Sequence, residues 1–156
     1  MSLFGFCQWL EQTRLSVAIR ESPWGFPIIE SVHVLGLCLF GFAILMDLRV
    51  LGVALIRVPA AEIAASLTAW MRAGIVVVVV SGILIFLNTP VEYYNNTIFR
   101  IKVIMLLLIA VNAWVLRARR FQHGRNAIFA RAVSLVLWAG IIVAGRMITY
   151  TLGTNE

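Results

Sequence analysis

Four apolar runs, at residues 26–46, 70–87, 101–116 and 132–151, constrain this chain of 156 residues more than anything else in it. At ~1.5 Å of rise per residue, about 20 helical residues cross ~30 Å of hydrocarbon. No water is available there, so every backbone N–H and C=O must be satisfied by helices or by a closed barrel. Barrel strands alternate apolar and polar residues over about 10 positions. Val76 to Val80 is unbroken valine and does not alternate. The expected fold is therefore all-α, a four-helix transmembrane bundle. The third run is the shortest and draws a turn from Asn96 to Arg100.

Composition agrees. Hydrophobic residues make up 62% of the chain and charged residues 13%, against about 45–50% and about 25% in soluble domains. One membrane domain over residues 1–156 leaves no room for a separate soluble domain. The net charge of +6 does not indicate nucleic acid, because the cations sit at the ends of the runs and form no basic stripe. The expected surroundings are the lipid bilayer and, since four short helices form a thin wall, a homo-oligomer or a larger membrane complex.

Local signals mark the boundaries. Pro27 suits the first turn of a helix, where its missing N–H costs nothing. Asn88-Thr89-Pro90 closes the second run, because a residue before proline is pushed out of helical geometry. A further helical piece is expected from Pro59 into the second run, carried by alanines at 60, 61, 64 and 65. Residues 3–20 read as an amphipathic interfacial helix with Leu3, Phe6, Leu10, Thr13 and Val17 at helical spacing. Polar residues interrupt this segment too often for a signal peptide. Trp9, Trp24, Tyr93 and Tyr94 are expected near the headgroups, as interfacial aromatics. Eight cations lie on the side of the loops after the first and third runs, including Arg117, Arg119, Arg120, Arg125 and Arg131, and four on the other. The positive-inside rule then places both termini outside, in the periplasm of a bacterial inner membrane.

Depth along the runs brings several polar residues to one level. An ionisable side chain in hydrocarbon costs ~2.5–3.5 kcal/mol on the insertion scale and so needs a partner or a purpose. His33 lies ~6–9 Å below the outer end of the first span, with Glu30 one turn above on the same face. Arg146 and Tyr150 lie near the outer end of the fourth, Lys102 opens the third, and Asn88 ends the second. On the inner side, Asp47 with Arg49 or Arg72 suggests a boundary ion pair, and Asn112 requires a hydrogen-bond partner from another helix. Gly74, Val78 and Gly82 mark a packing face of the second span, and Ala132, Val136, Gly140 and Ala144 one of the fourth.

The favoured reading of the outer cluster is a haem b site for electron transfer. His33 would be the axial ligand and Arg146 and Lys102 the propionate partners, with Glu30 and Tyr150 beside them. Gly36 and Gly41 would let the macrocycle lie against the first span. A bis-histidine site needs a second membrane histidine, whereas His123 falls in the arginine-rich loop. Glu30-Ser31-Val32-His33 also has the Glu-x-x-His spacing of carboxylate-bridged di-iron bundles, but no other span supplies a carboxylate. The alternative is a non-enzymatic accessory or assembly subunit whose membrane polar residues are structural. No P-loop, glycine-rich phosphate motif or serine–histidine–acid arrangement is present, so the chain is not expected to be an enzyme by itself. Cys7 and Cys38 have no CxxC partner.

Ser22-Pro23-Trp24, Ile29 to Gly36 (IESVHVLG), Met46 to Gly52 (MDLRVLG), Phe99 to Lys102 (FRIK) and Leu137 to Tyr150 (LWAGIIVAGRMITY) resemble a bacterial family of small four-span membrane proteins known only as a domain of unknown function. The resemblance touches all but the second span. It implies an inner-membrane protein of this topology and singles out His33, Asp47, Arg49, Lys102 and Arg146. The chain is more loosely similar to the copper-resistance D and cytochrome-b-like membrane families, which carry histidines near the outer face. The copper family uses more histidines or methionines than this chain has.

Overall fold

The computed structural model describes residues 2–55, 57, 59–117 and 125–153. Among them every regular element is a helix: α1 (Leu3–Glu11), α2 (Arg14–Glu21), α3 (Gly25–Phe40), α4 (Phe42–Val50), α5 (Ala60–Asn88), α6 (Pro90–Asn95), α7 (Thr97–Arg117) and α8 (Arg125–Gly153). Four stretches are long and apolar enough to cross a membrane: Gly25–Arg49, Leu67–Asn88, Thr97–Leu116 and Arg125–Leu152, with mean hydropathies of 2.1 to 2.3. The all-α fold class stands, and these helices fit a multi-pass membrane protein. His123, Arg119 and Arg120 lie outside the described residues.

The helix boundaries follow local chemistry. α5 starts after Pro59, takes in the alanine-rich piece and stops at Asn88. Thr89 is non-helical (φ −138°, ψ 69°), and Pro90 then opens α6 as an N-terminal proline. α6 was not legible as a separate helix in the sequence. α8 begins at Arg125, well before the apolar run at 132. The apolar run marks hydrocarbon depth, whereas the helix continues wherever its backbone bonds close.

Two corrections concern the first third of the chain. The expected single helix over 3–20 is two helices, because Thr13 caps a new one: its Oγ1 accepts from the Ser16 N–H at 3.4 Å. Ser16, fully buried, donates its hydroxyl to Leu10 O at 2.7 Å and pins the joint. Consequently Cys7, Ser16 and Ile19 form the buried side, while Leu3 and Phe6 are exposed. In the first span, Gly41 separates α3 from α4, its N–H bonded to Leu37 O at 2.8 Å.

The chain divides into two compact units, residues 1–42 with 68–96, and residues 43–67 with 97–156. In the first unit α1 packs on α6 and α2 on α3. Phe4 meets Tyr94 with ring centroids 5.9 Å apart, and Tyr93 is buried beside Phe86 at 6.1 Å. Tyr93 is thus packed inside the first unit. Trp24 and Trp9 are exposed.

In the second unit α7 and α8 form an extensive pair. The buried residues of α8 are Ala127, Ala130, Ser134, Ile141, Ala144 and Ile148. Their steps of three, four and seven hold one face of a helix. The expected stripe at 132, 136, 140 and 144 is corrected: Ala132 and Val136 are exposed and only Ala144 is buried. Steps of four drift by about 40° each on a helix of 3.6 residues per turn, so that stripe winds off the contact. Large apolar side chains such as Val76, Val80, Leu107, Trp114, Ile142 and Val143 point outward, as lipid-facing residues do.

Candidate functional site

The sequence-predicted residues divide between the units. Glu30 and His33 belong to the first, and Lys102, Arg146 and Tyr150 to the second.

In the first unit, α3 brings His33 against α5. The His33 Nδ1 lies 2.8 Å from Ser81 Oγ, and Ser81 is buried at 3% exposure. Ser81 has one hydroxyl proton and donates it to Val77 O one turn back. Its oxygen is then the acceptor for the imidazole, which places a proton on Nδ1. Sequence reasoning missed Ser81, although its one-turn offset from the Gly74–Val78 face put it on the same side of α5. A Cβ on Gly82 would sit 3.4 Å from His33 Cε1, in ordinary contact with the ring. Gly36 is no cradle for a macrocycle. It is buried, and a Cβ on it would come within 2.7 Å of Val77 Cγ1 and 3.0 Å of Val78 Cγ2.

Glu30 is exposed. Its negative charge is felt by Tyr93, whose phenol is pushed above its ordinary pKa chiefly by burial and further by Glu30 and Glu92. No group of three or more histidine, cysteine or carboxylate side chains gathers as a metal site among the described residues.

In the second unit Lys102 lies on α7 and Arg146 on α8. Lys102 Nζ occupies the notch left by Gly145, 3.2 Å from where a Cβ would stand. Arg146, the next residue, lies on the exposed side of α8, its guanidinium carbon 5.4 Å from the Tyr150 ring centroid. At one residue beyond Gly145 the helix turns it about 100° away from the notch, toward the flanking aromatic.

A close polar contact of this unit lies elsewhere. Arg131 Nη1 on α8 donates to Asp47 Oδ1 on α4 at 2.5 Å, and the Asp47 side chain is 5% exposed. The sequence suggested Arg49 or Arg72 for this role and counted Arg131 as a loop cation. Arg131 is helical because α8 starts early. Asn112 finds the partner it required: its Nδ2 donates to Ala130 O across the α7–α8 contact at 3.0 Å. The described buried side-chain nitrogens and oxygens all have hydrogen-bond partners.

This chemistry suits locking helices together, and one oriented imidazole adds a possible ligand. Neither the curated proteins nor the solved structures gave a match. Residues 12–151 match the model of a family of unknown function, DUF6644, and the chain belongs to that family.

Proposed function

We propose that the chain is a non-enzymatic accessory or assembly subunit of a bacterial inner membrane, with both termini outside, whose intramembrane polar residues are structural. The observation that carries this reading is the Asp47–Arg131 pair, in which a buried carboxylate is neutralised by the chain's own cation. A charge left alone in hydrocarbon is expensive, and a pair in fixed geometry sets helix register. The Asn112 bond to Ala130 acts in the same way. The partner is another copy or a larger membrane complex. In nanodiscs the assembly should then exceed the mass of one 17.4 kDa chain. A strictly monomeric particle with full stability would overturn the reading.

One observation favours a second reading, haem b near the outer face serving electron transfer. Ser81 orients the His33 ring through Nδ1, and ligating histidines are commonly oriented in this way through their other ring nitrogen. Haem would then take His33 as ligand, with Glu30 as the polar group from the same unit. The filled notch at Gly36 directs the macrocycle away from that part of α3. An absorption spectrum of protein made with ample haem decides between the readings. A Soret band that disappears in His33→Ala supports haem, and a colourless protein removes it.

A further inference from the structure

A groove of about 620 Å³ opens at the arginine-loop end of the α7–α8 pair, lined by Asn112 and Val115 from α7 and by Arg125, Asn126, Phe129 and Val133 from α8. Its chemistry changes along its length. Arg125 and Asn126 lie at the end next to the loop, and both are exposed. Phe129, 72% exposed, follows one turn further along α8, and Val133 one turn beyond it. From Arg125 to Val133 the helix rises ~12 Å. A cation and an amide thus stand at the mouth, with an aromatic and two valines behind them. The bond from Asn112 to Ala130 fixes the wall between α7 and α8, so the groove is a built feature of the helix pair.

We infer that this groove holds an anionic phospholipid, its phosphate at Arg125 and Asn126 and an acyl chain along Phe129, Val115 and Val133. Charge selects the occupant. Residues 117–131 carry five arginines and no carboxylate, which attracts an anionic headgroup within a Debye length. A second copy seated here would bring the same excess of positive charge and be repelled. A free phosphate would leave the apolar wall unused. The inference does not depend on the accessory or haem readings.

The test is native mass spectrometry of the detergent-purified full chain titrated with phosphatidylglycerol or phosphatidylcholine. The expected result is a retained phosphatidylglycerol adduct, with Arg125→Gln weakening it about fivefold, the effect of one cation near a headgroup. Arg14→Gln, which removes one charge from exposed α2, should leave it unchanged. Phe129→Ala should weaken long-chain phosphatidylglycerol while sparing a short-chain form. Equal binding of the two lipids, or equal losses in Arg125→Gln and Arg14→Gln, overturns the proposal. So does displacement of the lipid by millimolar inorganic phosphate, which would assign a free-anion site.

Discussion

Asp47 and Arg131, 84 positions apart, form an ion pair within the second unit, tying α4 to α8. The carboxylate is buried and the guanidinium about a quarter exposed, so the two partners are not equivalent. Losing the cation strands a charge, whereas losing the carboxylate leaves an arginine able to reach water.

Arg131→Met should therefore cost more than Asp47→Ala. Removing one partner of a buried pair costs ~3–5 kcal/mol, with the arginine variant toward the upper end. Thermal or denaturant unfolding in detergent gives both values. The double variant Asp47→Leu with Arg131→Met should recover much of the loss. Additive losses in that double variant would deny the coupling.

Ser81→Ala removes the acceptor of the His33 Nδ1 proton and should destabilise the α3–α5 contact by ~1–3 kcal/mol. In a double-mutant cycle with His33→Ala the two changes should couple by at least ~0.5 kcal/mol. Independent effects would mean that the hydroxyl does not orient the imidazole.

Gly36 and Gly140 both sit where a Cβ would be too close to a neighbour, yet their alanine variants should differ. At Gly36 the obstacle is Val77 Cγ1 at 2.7 Å, and at Gly140 it is Met105 Sδ at 2.8 Å. Valine is held in one rotamer on a helix, whereas methionine can swing aside. Gly36→Ala should cost ~1–3 kcal/mol by overpacking. Gly140→Ala should be near neutral, because alanine gains up to ~1 kcal/mol of helix propensity over glycine. Adding Val77→Ala should rescue Gly36→Ala, and unfolding midpoints of the three variants check the ranking.

Tyr93 should make the protein sensitive to alkali. Its phenol is held above the usual pKa by burial and by Glu30 and Glu92, so the folded state resists an ionisation that the unfolded chain accepts. That stability is fully present below the unfolded value of about 10 and is lost as pH rises through the folded one. Tyr93→Phe should flatten the decline in melting temperature on the alkaline side. Titration of phenolate absorbance should show one tyrosine ionising late in the native chain only.

Much of this architecture was readable from residue order. Glycine 41 and Thr13 show the limit: each interrupts a segment that reads as continuous, and both breaks depend on where a single cap or turn settles. The candidate site was less legible. His33, Lys102 and Arg146 could be ranked by depth, but depth is one coordinate and says nothing about direction around the helix. Lys102 enters the Gly145 notch while Arg146, one residue later, lies outward against Tyr150.

The sequence by itself determined that the chain is helical and where its four helices long and apolar enough to cross a membrane lie, because length and hydropathy alone decide which segments hydrocarbon accepts. Tertiary structure alone decided which side of each helix packs and which polar groups answer one another. A helix apolar all round carries no amphipathic stripe, since lipid tails are as apolar as the side chains of a neighbouring helix. The contact is then chosen by close fit, as with Ala130 and Ala144 on α8, and by single polar bonds between residues far apart in the chain. His33 with Ser81, Asn112 with Ala130 and Asp47 with Arg131 are those bonds, and only packing made them partners.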